Sequence, residues 1–152
     1  MRRTLPRRGG TAKDILWSSP ERIALSNRVI SIIDDDGSVR AATHNLVRSL
    51  GYVVHSFASA EEFLRSPHLN DTSCVITDVR MPAMSGLELQ AHLLATGRRF
   101  PIIFVTAFSV DSDRARAMKA GAICFLSKPC DGEALIKCLE AALVPNGEAA
   151  SK

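Results

Sequence analysis

Apolar residues from position 28 onward alternate between short continuous runs and segments with helical spacing. The run at 29–33 is β-branched and almost entirely apolar, which is typical of a strand buried on both faces of a sheet. An acidic run at 34–36 follows, and apolar residues spaced three or four apart then continue to Leu50. This spacing predicts a helix that stops at Gly51, since glycine readily adopts the left-handed conformation that ends many helices.

The same alternation of strand and helix repeats to the end of the last predicted helix. Further strands are predicted at 53–57, 74–77, 102–105 and 123–126. Three of the following helices are predicted to begin at the capping box 59–62, after Gly86 and at a Ser109 cap. The last predicted helix includes Leu135 and Leu139 and ends before Pro145. Strands that alternate with helices form a parallel sheet covered on both faces. Right-handed crossovers in a short chain then favour a doubly wound α/β fold.

Basic residues concentrate at the start of the chain. The first 26 residues include six basic and two acidic ones, whereas the rest is close to neutral and the whole carries a formal net charge of +3. We therefore divide the 152 residues into a basic extension at 1–27, expected to be flexible, one domain at 28–144 and a tail at 145–152. A basic extension can bind nucleic acid or anionic lipid, but a solvated leader explains the same composition and is the interpretation we favour.

Several classes of protein are disfavoured by missing signals. No run approaches the roughly 20 apolar residues that span a bilayer, so we expect a cytoplasmic protein without membrane contact. Neither the four histidines nor the four cysteines show metal-ligand spacing. The cysteines, expected to be reduced and mostly in the core, are Cys74, Cys124, Cys130 and Cys138. There is also no G-x-S-x-G motif and no Walker-type phosphate loop.

Polar residues with complementary chemistry stand at the ends of four predicted strands. They are Asp34, Asp35, Asp78, Thr106 and Lys128. In a doubly wound fold, ligands bind where the carboxyl ends of the strands meet. Three carboxylates gathered there repel one another, so such a cluster persists when a cation occupies it or when the pKa of one acid rises to relieve the repulsion. Oxygen ligands favour a hard cation such as Mg²⁺. Acids, a metal, a lysine and a hydroxyl are the parts needed for phosphoryl transfer.

The motifs around these residues resemble the receiver domain of two-component response regulators. They are Ile32-Ile33-Asp34-Asp35-Asp36, Thr77-Asp78-Val79-Arg80-Met81-Pro82-Ala83-Met84-Ser85-Gly86, Val105-Thr106-Ala107 and Lys128-Pro129. The resemblance covers roughly 28–144, and the sequences of the motifs are most similar to those of receivers of the nitrogen-fixation and nodulation regulator type. It implies a flavodoxin-like, five-stranded parallel sheet in the order 2-1-3-4-5, flanked by five helices.

The resemblance also implies a role for each residue at the strand ends. Asp78 matches the phosphoacceptor, whose carboxylate becomes an acyl phosphate. Asp34 and Asp35 match the acidic pair that binds Mg²⁺ or Mn²⁺ together with Asp78 and the backbone carbonyl of Arg80. In that pair Asp35 is expected to be the direct ligand, and Asp34 is expected to act through water. Lys128 matches the lysine that contacts the acceptor and then the phosphoryl oxygens, and the peptide bond after it is expected to be cis.

Four positions match residues that, in this family, change the partner-binding surface or set the lifetime of the phosphorylated state. Thr106 matches the hydroxyl that moves toward a phosphoryl oxygen, and Phe125 matches the aromatic that turns inward with it, although Phe125 can also be plain core. The added charge biases the packing of the fourth helix and fifth strand, so partner binding is expected to change over 107–127. Phe108 is expected to shield the acyl phosphate from water. Arg80 is expected to pair with a phosphoryl oxygen or with an acidic neighbour.

Three other residues near these motifs have structural explanations. Asp36 is interpreted as a residue at a helix N-terminus, stabilised by the helix dipole, rather than as a metal ligand. Gly86 is interpreted as a position that needs backbone freedom. Arg40 is expected to lie on a solvated helix face.

The function that follows is that of a signalling module and not of an enzyme with an external substrate. A sensor histidine kinase or a histidine phosphotransfer protein is the expected donor, a downstream protein is the expected target, and phosphorylation-dependent homodimerisation stays open. Only eight residues follow Val144, so a stand-alone receiver is favoured over a receiver fragment of a DNA-binding transcriptional regulator, and nucleic-acid contact is not expected. A Mg²⁺-dependent phosphatase is disfavoured because no second acid/base residue is placed for turnover.

Overall fold

Strands and helices alternate through residues 27–143, the part of the chain described by the computed structural model. The strands are β1 (Val29–Ile33), β2 (Val53–Phe57), β3 (Cys74–Thr77), β4 (Ile102–Thr106) and β5 (Cys124–Ser127). The helices are α1 (Gly37–Ser49), α2 (Ala60–Leu64), α3 (Gly86–Ala95), α4 (Asp111–Lys119) and α5 (Gly132–Ala142), with a 3₁₀ helix at Leu69–Asp71. Apart from Asn27, the predicted extension and tail lie outside the described residues.

The sheet confirms the predicted fold. Its five strands are parallel and run in the order β2-β1-β3-β4-β5. Ile33 at the end of β1 pairs with Thr77 at the end of β3, so the residues that follow them lie side by side. Because a parallel sheet brings all carboxyl ends to one edge, this register already places Asp34 beside Asp78.

Hydrophobic side chains fill both faces of the sheet. Every residue of β3 and β4 is buried, since helices cover these central strands on both sides. On one face the core includes Phe63 of α2, Leu89 and Leu93 of α3, and Ala117 of α4. On the other face it includes Val47 of α1 and Leu135 and Leu139 of α5. None of the helices between residues 27 and 143 has the length and hydropathy needed to cross a membrane.

Short polar side chains begin two of the helices as predicted. The Asp36 carboxylate accepts hydrogen bonds from the backbone N–H groups of Ser38 and Val39 and so caps α1. This contact confirms the interpretation of Asp36 as a helix-terminal residue. Ser59 caps α2 in the same way by accepting from the N–H of Glu62.

The predicted start of α4 is wrong. The helix begins at Asp111 after Val110, whose side chain makes no capping bond, and not at a Ser109 cap. The preceding loop contains a local turn instead, in which the Phe108 N–H donates to Thr106 Oγ1 at 3.3 Å. The preference of serine for helix starts is therefore not realised here, and α4 begins two residues later, without a side-chain cap.

The prediction of four reduced cysteines is wrong for one pair. Cys124 of β5 and Cys138 of α5 form a disulfide, with their Cα atoms 6.2 Å apart. Their separation of 14 residues carries no recognisable motif, and the pairing follows only from the packing of α5 against β5. Cys74 and Cys130 are free, and burial raises the pKa of Cys74 to about 12.

Candidate functional site

Three strands deliver charged residues to one edge of the sheet. Asp34 follows β1, Asp78 follows β3 and Lys128 follows β5. Backbone hydrogen bonds continue the sheet one residue past the ends of β1 and β3. The Asp34 N–H donates to the Phe57 carbonyl at 3.1 Å, and the Asp78 N–H donates to the Ile33 carbonyl at 3.2 Å. The sheet itself therefore fixes the two carboxylates.

Lys128 binds both of these carboxylates. Its Nζ donates to Asp34 Oδ2 and to Asp78 Oδ2, at 2.8 Å in each case. Both aspartates are buried, so water does little to weaken the repulsion between them. The ammonium supplies the compensating charge. The peptide bond between Lys128 and Pro129 is cis, as expected.

Burial and hydrogen bonding shift the proton affinities in this cluster. Desolvation raises the pKa of Asp34 above its ordinary value, although the hydrogen bond from Lys128 acts in the opposite direction. Burial alone would lower the pKa of Lys128, but its hydrogen bonds to Asp34 and Asp78 outweigh burial and raise it. Lys128 is therefore charged at neutral pH. A raised Asp34 pKa contributes to stability below its ordinary value of 3.8, and that contribution is lost as pH rises through the folded-state pKa.

Asp35 completes an acidic cluster with these two aspartates. Carboxylate oxygens of Asp34, Asp35 and Asp78 all lie within 4.8 Å of one another, and no other such group of three metal-ligating side chains occurs among residues 27–143. Asp35 is exposed, so the cluster is open to solvent on that side. Three carboxylates against one ammonium leave an excess of negative charge, and an oxygen-only donor set fits Mg²⁺ or Mn²⁺.

The turn after β1 is held by contacts that the sequence did not reveal. Asp34 Oδ1 accepts a hydrogen bond from the Asp36 N–H at 2.9 Å, and the Arg40 guanidinium donates to the Asp34 backbone carbonyl at 2.7 Å. The prediction of a solvated face for Arg40 is wrong, because its side chain folds back from α1 onto the end of β1. A basic residue in the first turn of an amphipathic helix gives no signal of this contact.

Arg80 connects the loop after β3 with α4. Its backbone N–H donates to Asp78 Oδ1 at 3.3 Å. Its guanidinium forms an ion pair with Asp113 at 3.2 Å. Of the two kinds of partner expected for Arg80, the structure shows the acidic neighbour.

Thr106 and Phe125 lie on the neighbouring strands β4 and β5. Thr106 is fully buried, and its Oγ1 accepts from the Phe108 N–H. Phe125 is buried with its ring centroid 5.9 Å from that of Phe104, and the Arg114 guanidinium lies 5.1 Å above the Phe125 ring. The Phe108 side chain is 63% exposed. The Phe125 ring thus points inward in this structure, whereas the Phe108 ring is in solvent.

Gly86 lies against the backbone of Asp78. A Cβ at Gly86 would overlap the Asp78 carbonyl oxygen and would lie 3.1 Å from the Phe104 ring. Its φ is outside the left-handed region that Gly51, Gly97 and Gly121 occupy. The interpretation of Gly86 as a site of backbone freedom is therefore wrong. Glycine is needed at this position because there is no space for a side chain, and its backbone conformation is not an unusual one.

Comparison with known protein families agrees with the arrangement of the site. The model of the response regulator receiver domain matches residues 30–140. The chain belongs to the receiver domain family. Receiver domains are signalling domains that bind Mg²⁺ at an acidic pocket and interact with sensor histidine kinases.

Receivers of named response regulators are similar to this one. The response regulator protein TodT of Pseudomonas putida is 44% identical over 115 residues, which cover 76% of this chain and 51% of TodT. Nodulation protein W of Bradyrhizobium diazoefficiens is 40% identical over 119 residues, which cover 78% of this chain and 52% of that protein. The chain spans about half the length of these curated relatives.

A solved structure gives the same result for the receiver fold. The response regulator StyR superimposes with a TM-score of 0.73 at 42% identity, covering 82% of this chain and 63% of StyR. Together with the similarity to nodulation protein W, this match confirms the predicted family, its regulator type and its fold.

Proposed function

We propose that this receiver accepts a phosphoryl group on Asp78 and thereby changes a protein-binding surface at 107–127. The observation that carries the proposal is the position of Lys128 Nζ, 2.8 Å from an oxygen of both Asp34 and Asp78. A buried carboxylate beside two further acids costs folding free energy unless a cation compensates it. Such a cluster at the carboxyl edge of a doubly wound sheet is suited to binding and not to stability.

Four groups of this chain would hold Mg²⁺ or Mn²⁺ there. They are the carboxylates of Asp34, Asp35 and Asp78 and the backbone carbonyl of Arg80. Asp35 is the exposed acid and would bind directly, whereas both Asp34 oxygens already accept hydrogen bonds, which favours contact through water. When bound, the cation supplies positive charge to the phosphoryl oxygens.

Asp78 acts as the nucleophile in the proposed transfer. One of its oxygens bonds to phosphorus while the bond from phosphorus to the donor breaks, and the electron pair of that bond leaves with the donor. The donor is a histidine of a sensor kinase or phosphotransfer protein, or a small acyl phosphate. Lys128 then moves its hydrogen bonds from the carboxylate to a phosphoryl oxygen. The domain catalyses only its own phosphorylation and dephosphorylation.

Thr106 and Phe125 convert the added charge into a change of surface. The Thr106 oxygen accepts a bond from the Phe108 N–H, so its own hydrogen can turn toward a phosphoryl oxygen. The Phe125 ring already points inward in this structure, so this movement would stabilise that position and change the packing of α4 against it. The surface at 107–127 then binds a downstream protein or a second phosphorylated copy.

Intact mass after incubation of the full chain with acetyl phosphate and Mg²⁺ tests the acceptor. We expect one added phosphoryl group on the wild type and none on Asp78→Asn, because the amide lacks the carboxylate nucleophile. Removal of Mg²⁺ with a chelator should also prevent labelling. Labelling of Asp78→Asn at the wild-type rate, or no labelling of the wild type under any of these conditions, would contradict the proposal.

Phe108→Ala should accelerate loss of the phosphoryl group several-fold if the aromatic ring shields the acyl phosphate from water. The backbone bond from residue 108 to Thr106 is kept in this variant, so the switch contact is not removed. Val110→Ala removes another exposed apolar side chain from the same loop and serves as the control. Phosphate release followed over time gives both rates, and equal rates for Phe108→Ala and wild type would rule out shielding.

A further inference from the structure

The first turn of α4 is attached to both sides of the proposed phosphorylation site. Asp113 pairs with Arg80, which lies two residues after Asp78. The next residue, Arg114, donates to the Phe125 carbonyl at 3.1 Å and covers the Phe125 ring. One helical turn therefore contacts the acceptor loop on one side and the expected switch residue on the other.

The Arg80–Asp113 pair contributes little to folding. The two side chains are 53% and 21% exposed, and exposed ion pairs contribute only about 0–1 kcal/mol. Asp113 also lies in the first turn of α4, where a negative charge is favourable without any partner. The pair can thus be broken at small cost.

Arg80 is placed to exchange its partner. Its backbone N–H already contacts Asp78 Oδ1, while its guanidinium pairs with Asp113 and, among the described residues, forms no ion pair with Asp78. A phosphoryl group on Asp78 carries about −1.5 to −2 charges and three acceptor oxygens, and arginine binds such groups more strongly than a single carboxylate. The half-exposed side chain has room to move between the two anions.

We propose that Asp113 is a positioning residue for phosphoryl transfer, which holds the Arg80 guanidinium away from the acceptor and releases it to the phosphoryl oxygens. The inference rests on the proposed phosphorylation of Asp78. It gives Arg80 a direct contact with the reacting group and makes Asp113 a competitor for that contact. Release of Asp113 also loosens the turn that covers Phe125.

Rates of labelling by acetyl phosphate and Mg²⁺, followed by intact mass on the full chain, test this exchange. Asp113→Asn should be labelled about threefold faster than wild type, an effect of the size that an exposed ion pair provides. Arg80→Met should be labelled more slowly, and adding Asp113→Asn to Arg80→Met should change nothing further. Asp113→Glu, which keeps the charge, should restore the wild-type rate.

The control is Asp111→Asn, which removes the same charge from the same turn. Among the described residues Asp111 has no ion-pair partner, so its rate should stay at the wild-type value. An equal acceleration by Asp111→Asn, an unchanged rate in Asp113→Asn, or an Asp113→Asn effect that persists without Arg80 would each overturn the inference while leaving Asp78 as the acceptor. No labelling of wild type would instead overturn the proposed function, and this inference with it.

Discussion

Lys128→Met should lower the rate of phosphoryl incorporation at Asp78 on the order of 100-fold, the loss that follows removal of one preorganised electrostatic contact. The ammonium lies 2.8 Å from the acceptor oxygen and is charged at neutral pH, because Asp34 and Asp78 raise its pKa. Its removal leaves the charge of the incoming phosphoryl group uncompensated on this side. The measurement is the time course of labelling by acetyl phosphate in Mg²⁺.

The same substitution should also destabilise the domain when Mg²⁺ is absent. Lys128→Met leaves the buried carboxylates of Asp34 and Asp78 facing each other without a cation. The midpoint of thermal unfolding should therefore fall, and added Mg²⁺ should restore more of it than in the wild type. Lys137→Met removes the same charge from an exposed position on α5 and should change neither the labelling rate nor the midpoint. A labelling rate of Lys128→Met equal to that of Lys137→Met would contradict the assigned role.

Gly86→Ala should disrupt the site through the backbone. The new Cβ would overlap the Asp78 carbonyl oxygen, and the Phe104 ring, 3.1 Å from the same Cβ, leaves little room for it to shift. Overpacking of this kind costs about 1–3 kcal/mol of folding free energy. A displaced Asp78 should also lose labelling on the order of 100-fold, since small misplacements of reacting groups have effects of that size.

Gly132→Ala is the matched control for this prediction. Gly132 is the first residue of α5, as Gly86 is the first residue of α3, and its new Cβ would lie 3.8 Å from Leu46, an ordinary contact. Both substitutions gain the same helix propensity, so the difference in stability and in labelling rate between the two variants reports the effect of the contact with Asp78. Denaturant unfolding and the labelling time course measure the two effects. Equal stability and equal labelling of the two variants would contradict the steric argument.

The order of the elements could be predicted from the amino-acid sequence alone, and so could the edge of the sheet at which the charged residues meet. Apolar runs of strand length recur between helical patterns, and the parallel arrangement that follows brings strand ends together. Asp34, Asp78 and Lys128 each follow a strand directly, so the contact between their side chains could be predicted without knowing how the loops fold. The Asp36 cap was also readable, because N-capping depends only on a few neighbouring residues.

The contacts made by long side chains, and those between residues far apart in the chain, could not be predicted from the sequence and depend on the packed fold. Arg80 reaches Asp113 over 33 positions, and Arg40 folds back onto Asp34, because guanidinium groups take whichever acceptor the packing brings within reach. The overlap that excludes a side chain at Gly86 likewise exists only once α3 is packed against the backbone of Asp78. Periodicity and motif spacing describe the backbone and its buried faces. Pairings between elements depend on how those faces are oriented against one another, and that orientation is a property of the fold.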